Sequence, residues 1–213
     1  MLKDISFQLP ANRCLGIIGK TGSGKTTITK LLSRNYNLLQ GNIYLNGTAI
    51  EEFKLSSLRQ ELGIITQNIE LFDGTLRDNI TLFQEEISDE IIRNGIEELG
   101  LSQWFCNLPE GLDSHIDRNG GNLSSGEAQL ITILRIYLKN CKLIVLDEAT
   151  AKLDKVTEKM IHLALKKLFQ DKTVFIVAHR QEILEMADYI MELDNGKIKS
   201  YLEKISGRSL LRI

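Results

Sequence analysis

Gly19-Lys20-Thr21-Gly22-Ser23-Gly24-Lys25-Thr26 decides how the rest of the chain is read. It satisfies the pattern G-x-x-x-x-G-K-[ST]. It follows the short apolar run Leu15-Gly16-Ile17-Ile18 and precedes Ile28, Leu31 and Leu32 at helical spacing. A strand, a glycine loop and a helix in that order predict a phosphate site. Glycine lacks the Cβ that blocks close approach, so successive backbone N–H groups can face phosphate oxygens. The helix starting near Lys25 adds the positive end of its dipole. Lys25 would bridge the β- and γ-phosphates of a nucleotide, and the Thr26 hydroxyl would ligate Mg²⁺. The eight loop residues, with Thr27 after them, are the candidate nucleotide-binding set.

Downstream, Leu143-Ile144-Val145-Leu146 is apolar at every position, as a parallel strand buried on both faces requires, and it ends in Asp147-Glu148. Ligands of open α/β sheets bind beyond the carboxyl ends of strands, so both acids are expected to face the phosphate loop. Asp147 suits Mg²⁺, and Glu148 suits a general base for an attacking water. Taken alone, two acids after a strand read as a surface loop; the upstream phosphate loop reverses that preference.

Alternation over Leu2, Ile5, Phe7 and Leu9 predicts an opening strand, and Asn46-Gly47 and Asn195-Gly196 predict two hairpin turns. Ser88 to Gly100 reads as a capped helix, Leu130 to Leu138 as part of another, and residues 158–170 as an amphipathic third. Thr173 to Ala178 is a second buried strand. Strands and helices interleave, which predicts an α/β chain with a mainly parallel central sheet. The expected division is a core lobe over about 1–66 and 143–200, a helical subdomain over about 67–142, and a tail over 201–213.

The 213 residues are 43% apolar and 25% charged, which excludes wholesale disorder. Lys and Arg total 26 against 28 Asp and Glu, a net charge of -2 that provides no field for nucleic acid. No apolar run approaches the roughly 18 residues that a membrane span needs. Three cysteines without ligand-like spacing predict neither zinc nor a disulfide framework and suit a cytosolic setting.

Leu123-Ser124-Ser125-Gly126-Glu127 resembles the Leu-Ser-Gly-Gly-Gln signature of ATP-binding cassette proteins. Nearly the whole chain shares the resemblance. Gln67 matches the family's glutamine loop, Asp154 its aspartate loop and His179 its histidine switch. The segment Gln67 to Ile80 is most similar to exporter cassettes, as are Leu108-Pro109-Glu110-Gly111-Leu112-Asp113 and Ala178-His179-Arg180. Ser124 and Glu127 also form an S-x-x-E capping box, and alone the pentapeptide would be no more than a helix start.

The resemblance implies a P-loop NTPase core with an antiparallel β subdomain and an inserted helical one. It further implies that Ser124, Gly126 and Asp154 meet ATP held by a second cassette, two copies sandwiching two nucleotides head to tail. Glu148, His179 and Gln67 would serve catalysis, and Thr26, Gln67 and Asp147 would hold Mg²⁺. The partners implied are a second nucleotide-binding domain and an exporter's transmembrane domains, placing the chain at the inner face of a membrane. Trp104 and Phe105 read as packing residues.

Five departures from the family pattern bear on activity. Cassettes of the family normally open with a strand whose aromatic residue stacks on adenine, and this sequence is expected to begin too late to include it. Losing one such stack costs about 1–3 kcal/mol, which predicts ATP binding roughly tenfold or more weaker. Ser125 replaces the signature's first glycine, and Glu127 brings a negative charge to an anion site. Asp117-Arg118-Asn119 stands where exporters usually have Gly-Glu and one more residue, and Ala151-Lys152-Leu153-Asp154 keeps only part of Ser-Ala-Leu-Asp. The leading expectation is a Mg²⁺-dependent ATPase that powers export. The alternative is a truncated or degenerate cassette that binds ATP or a partner cassette without significant hydrolysis.

Overall fold

The computed structural model describes residues 2–66, 68–147, 154–178 and 180–204. In chain order the elements begin β1 (Cys14–Gly19), α1 (Lys25–Leu32), β2 (Tyr44–Leu45), β3 (Thr48–Ala49), α2 (Leu55–Glu61) and β4 (Leu62–Thr66). Next come β5 (Gly74–Thr75), α3 (Leu76–Thr81), α4 (Asp89–Leu99), α5 (Ser102–Cys106), β6 (His115–Ile116) and α6 (Ser125–Lys139). The last are β7 (Leu143–Asp147), α7 (Lys155–Leu168), β8 (Thr173–Val177), α8 (Gln181–Leu184), β9 (Tyr189–Asp194) and β10 (Lys197–Glu203).

The chain groups into two compact units. One holds residues 1–64, 141–148 and 171–213; the other holds 65–140 and 149–170. In the first, a six-stranded sheet runs β10-β9-β1-β8-β7-β4. The β9, β1, β8 and β7 pairings are parallel, and β10 folds back antiparallel on β9. The continuous apolar runs are explained by this placement. Leu15, Ile17, Ile144, Leu146, Val174 and Ile176 all have no measurable exposure, as strands covered on both faces demand. Ile28 and Leu32 of α1 pack into the same core, which positions that helix directly after the loop. Both Asn-Gly turns form with two consecutive left-handed residues, Asn46 and Gly47 between β2 and β3, Asn195 and Gly196 between β9 and β10.

The expected strand over Leu2 to Leu9 is not formed. The alternating side chains do pack, Leu2, Ile5, Phe7 and Leu9 resting against the core. Alternation reports a half-buried extended segment, whereas a strand also needs a hydrogen-bonded neighbour along its edge. Here the bonds are isolated: Lys3 N–H to the Gly196 carbonyl, and the Tyr201 hydroxyl to the Gln8 carbonyl.

The second unit is built on helix caps. Ser88 accepts the Ile91 N–H to start α4, and Gly100, at φ 76°, ends it. Thr75 and Asp78 form a capping box on α3. α6 is buried through Leu130, Ile131, Ile133 and Leu134 and packs against α3, α4 and α7. Trp104 is buried, as a packing residue should be.

At the centre of this unit, Asn79 is fully buried. Its side chain accepts the Phe72 N–H at 2.9 Å and donates to the Phe72 and Thr75 carbonyls at 2.9 and 3.1 Å. Arg135 of α6 closes the cluster, donating to Asn79 Oδ1 at 3.1 Å, to the Asn79 carbonyl, and to the Glu70 carbonyl at 2.9 Å. The fork of the guanidinium thus staples the 70–79 segment to α6. Asn79→Ala removes the side-chain partner of the Phe72 and Thr75 carbonyls, the Phe72 N–H and the Arg135 guanidinium. It should cost about 3 kcal/mol in urea denaturation, against near-neutral changes at exposed positions.

Cys14 is buried at the start of β1, and its thiol pKa is pushed up to about 12 by that burial and by the nearby Asp188 carboxylate. Its folded pKa lies above the unfolded value, so the associated stability is full below about pH 9. That stability drains away as pH rises towards 12, by at most about 1.4 kcal/mol per pH unit. Cys14→Ala should flatten this alkaline slope in pH-dependent denaturation, and iodoacetamide at pH 8 should label the exposed Cys106 but not Cys14 in the folded chain.

Candidate functional site

Parallel pairing brings the first group of residues together. Ile17 of β1 stands opposite Val177 of β8, and Val177 opposite Asp147 of β7, so the strands end along one edge of the sheet. The loop from Gly19 to Gly24 leaves at that edge and turns into α1. Gly24 occupies the N-cap position at φ 109° and offers no side-chain cap. The first N–H groups of a helix have no intrahelical acceptor, so α1 presents them to whatever the loop encloses.

Glycine is required at Gly19 for two reasons: φ is 147°, and a Cβ there would lie 2.3 Å from the Leu193 carbonyl oxygen and 2.7 Å from Ser23 Oγ. Gly22 has open space around it, so only its φ of 82° favours glycine. The buried Lys25 ammonium donates to the Gly19 carbonyl at 2.6 Å and to the Lys20 carbonyl at 3.1 Å. Both acceptors are neutral, which leaves the positive charge available to an anion. Ser23 Oγ is buried without a hydrogen-bond partner among the described residues, a donor poised beside the loop. Thr21 and Thr26 are exposed and Thr27 is half-buried.

Asp147 is tied to this assembly through Thr29. The Thr29 hydroxyl lies 3.1 Å from Asp147 Oδ2 and 2.9 Å from the Thr26 carbonyl, one proton serving two acceptors. A threonine hydroxyl and a carboxylate are hard oxygen donors of the kind Mg²⁺ takes, and the ion normally enters with phosphate rather than from an all-protein cage. The residues present therefore fit Mg²⁺ bound together with a nucleotide.

The second unit holds the other group. Ser124 is the N-cap of α6: its hydroxyl accepts the Glu127 N–H at 3.2 Å, and its own N–H and hydroxyl donate to Glu127 Oε2 at 2.9 and 2.8 Å. Gly126 is buried in the first turn, and Ser125 is exposed. Asp154 caps α7, accepting the Val156 and Thr157 N–H groups at 3.0 Å each. Bonds to Thr157 and then to Val156 hold its carboxyl below the ordinary aspartate range. Gln67, Glu148 and His179 lie outside the described residues.

Three residues that hold distant segments together escape a sequence reading. Thr29 carries no motif, and its link to Asp147 spans 118 positions. Asn79 and Arg135 are an unremarkable amide and a helical arginine until folding brings them together across 56 positions.

The profile described as "ABC transporter" matches residues 2–151. The chain is 39% identical over 201 residues to the ATP-dependent lipid A-core flippase of Photobacterium profundum, covering 92% of this chain and 34% of that protein. It is 38% identical over 211 residues to the uncharacterized ABC transporter ATP-binding protein YfiC of Bacillus subtilis, covering 99% and 34% respectively. Among solved structures it is similar to a bacterial Atm1-family ABC exporter with ATP bound, at 32% identity and a TM-score of 0.85, covering 95% of this chain and 35% of that one. The chain thus spans about a third of the length of these relatives.

Gly19→Ala tests the loop geometry directly, because the nearest atom the new methyl meets is the Leu193 carbonyl oxygen, backbone that cannot swing away. The expected outcome is a stability loss of about 1–3 kcal/mol in urea denaturation, together with at least about tenfold weaker binding of Mg-ATP by calorimetry.

Proposed function

The chain belongs to the ABC transporter family, and on that premise we propose that it binds and hydrolyses ATP to energise export through transmembrane partners. The observation that carries this reading is the buried Lys25 ammonium held on two neutral carbonyls inside a glycine loop, at the sheet edge where Asp147 also ends its strand. The ATP-bound exporter among the similar structures supports the same ligand.

In this reading the loop from Gly19 to Thr27 grips the β- and γ-phosphates through its N–H groups, and Lys25 leaves its carbonyls to neutralise charge there. Thr26, Asp147 and Gln67 would hold Mg²⁺, which when bound offsets charge on the phosphate oxygens. Glu148 orients water and takes its proton as the water oxygen bonds to the γ-phosphorus and the bridging oxygen leaves with ADP. His179 steadies the γ-phosphate. Most of the catalysis is then positioning and charge neutralisation.

Ser124, Gly126 and Asp154 serve a nucleotide held by a second copy or a related cassette, in a twofold arrangement. Among the described residues no helix is long and apolar enough to cross a membrane; in this reading attachment to the inner face is through an exporter's transmembrane domains. The acidic balance gives no support to nucleic acid as a ligand.

A second reading, a cassette that binds ATP without turnover, draws on Glu127. Its carboxylate sits on the Ser124 hydroxyl that would otherwise meet a phosphate. Calorimetry and steady-state hydrolysis separate the two. The ATPase reading expects Mg-ATP binding that Lys25→Met weakens at least about tenfold. It also expects hydrolysis that climbs faster than linearly with protein concentration and falls about a hundredfold or more in Glu148→Gln. Binding with no turnover at any concentration selects the second reading, and absence of binding at millimolar ATP rejects both.

A further inference from the structure

A loop that grips phosphate with backbone N–H groups must dispose of its carbonyls, because in a trans peptide the C=O points opposite the N–H. Each buried carbonyl then needs a donor of its own. Two are served from within the loop: Gly19 takes the Lys25 ammonium, and Lys20 takes the same ammonium and the Ser23 N–H. The Ser23 carbonyl is served from the far end of the chain, by the Gly196 N–H at 3.2 Å. The peptide that carries this carbonyl also carries the Gly24 N–H, at the mouth of α1. Fixing one end outward aims the other inward.

Strand register explains why Gly196 is there. Gly19 stands opposite Leu193, so as β1 gives way to the loop, β9 runs on by one residue and its turn lies alongside. The Leu193 carbonyl fills the space that a Cβ on Gly19 would need. Gly196 is braced from its other side, its carbonyl accepting the Lys3 N–H at 2.8 Å. Leu2 closes over Gly24, its Cδ2 2.5 Å from where a Cβ would stand.

We propose that the Asn195-Gly196 turn is a strut of the phosphate loop and that Gly196 is a positioning residue for the nucleotide. It acts through Ser23, holding the Ser23–Gly24 peptide with its N–H towards the ligand. The proposal rests on the ATP-binding reading above and names a further determinant of that same site. Because linkage is reciprocal, a nucleotide that needs the strut must in turn stabilise it.

The turn is left-handed at both residues, φ 48° and 81°. Asparagine tolerates that region and a β-branched residue does not. Calorimetry on the full chain should therefore find Gly196→Asn within about threefold of the parent for Mg-ATP. Gly196→Val should bind at least about tenfold more weakly, at a temperature where circular dichroism shows both variants folded.

A folded Gly196→Val that binds like the parent overturns the proposal. Hydrogen exchange on the parent decides it even if that variant fails to fold. Saturating Mg-ATP should slow the Gly196 amide at least about fivefold and leave Gly47, in the matching Asn46-Gly47 turn, unchanged. No slowing at Gly196 overturns the strut. A parent that does not bind Mg-ATP overturns the ATP reading itself and the strut's function with it, a result distinct from a parent that binds while the strut variants do not differ.

Discussion

Backbone amides can serve as an anion receptor only where the carbonyls on the same peptide planes have been given donors elsewhere. Much of the first unit is arranged around that requirement. The parallel run of β9, β1, β8 and β7 sets the ends of four strands along one edge, which is where a loop leaving β1 can be braced. Lys25 reaches back to the loop's first two carbonyls, so in this structure the cation that would meet phosphate also supplies their donor. Thr29 on the following helix joins Asp147 to the same scaffold. Loop, helix and acid are therefore set by one sheet, and the pleat that buries Leu15 and Ile17 is also what orients Gly19.

The second unit solves a different problem, holding helix starts in defined conformations with side-chain caps. Thr75, Ser88, Ser124 and Asp154 each accept backbone N–H groups that a helix start leaves over. In the proposed function the same atoms of Ser124 and Asp154 would take a second task, facing a nucleotide on another cassette. Structural and functional demands meet most closely at Glu127. A carboxylate completes the capping box and binds the Ser124 hydroxyl, where a neutral amide would cap almost as well and repel an incoming phosphate less.

Local order made several elements readable from sequence alone. The phosphate loop declares itself because spacing, glycine and lysine are all local requirements. Ser88 with Gly100, and Ser124 with Glu127, are cap pairs within one helix or one turn, so no tertiary knowledge is needed to place them. Leu143 to Leu146 reads as a doubly covered strand because burial on both faces leaves no polar position. The opening segment misled for the complementary reason. Its period of two is a statement about which side chains are buried, and Leu2, Ile5, Phe7 and Leu9 are indeed turned to the core. Strand formation is a statement about hydrogen-bond neighbours, which no local pattern encodes.

By itself, then, the sequence determined the class of fold, the family and the phosphate loop, because each rests on short-range spacing that survives any arrangement of the remainder. Tertiary structure alone decided which distant groups complete those features: Thr29 for Asp147, Arg135 for Asn79, Gly196 for Ser23. The physical reason is the same in each case. A buried polar atom must be paired, but many partners would satisfy it equally, and only the register of packed strands and helices selects the one that arrives.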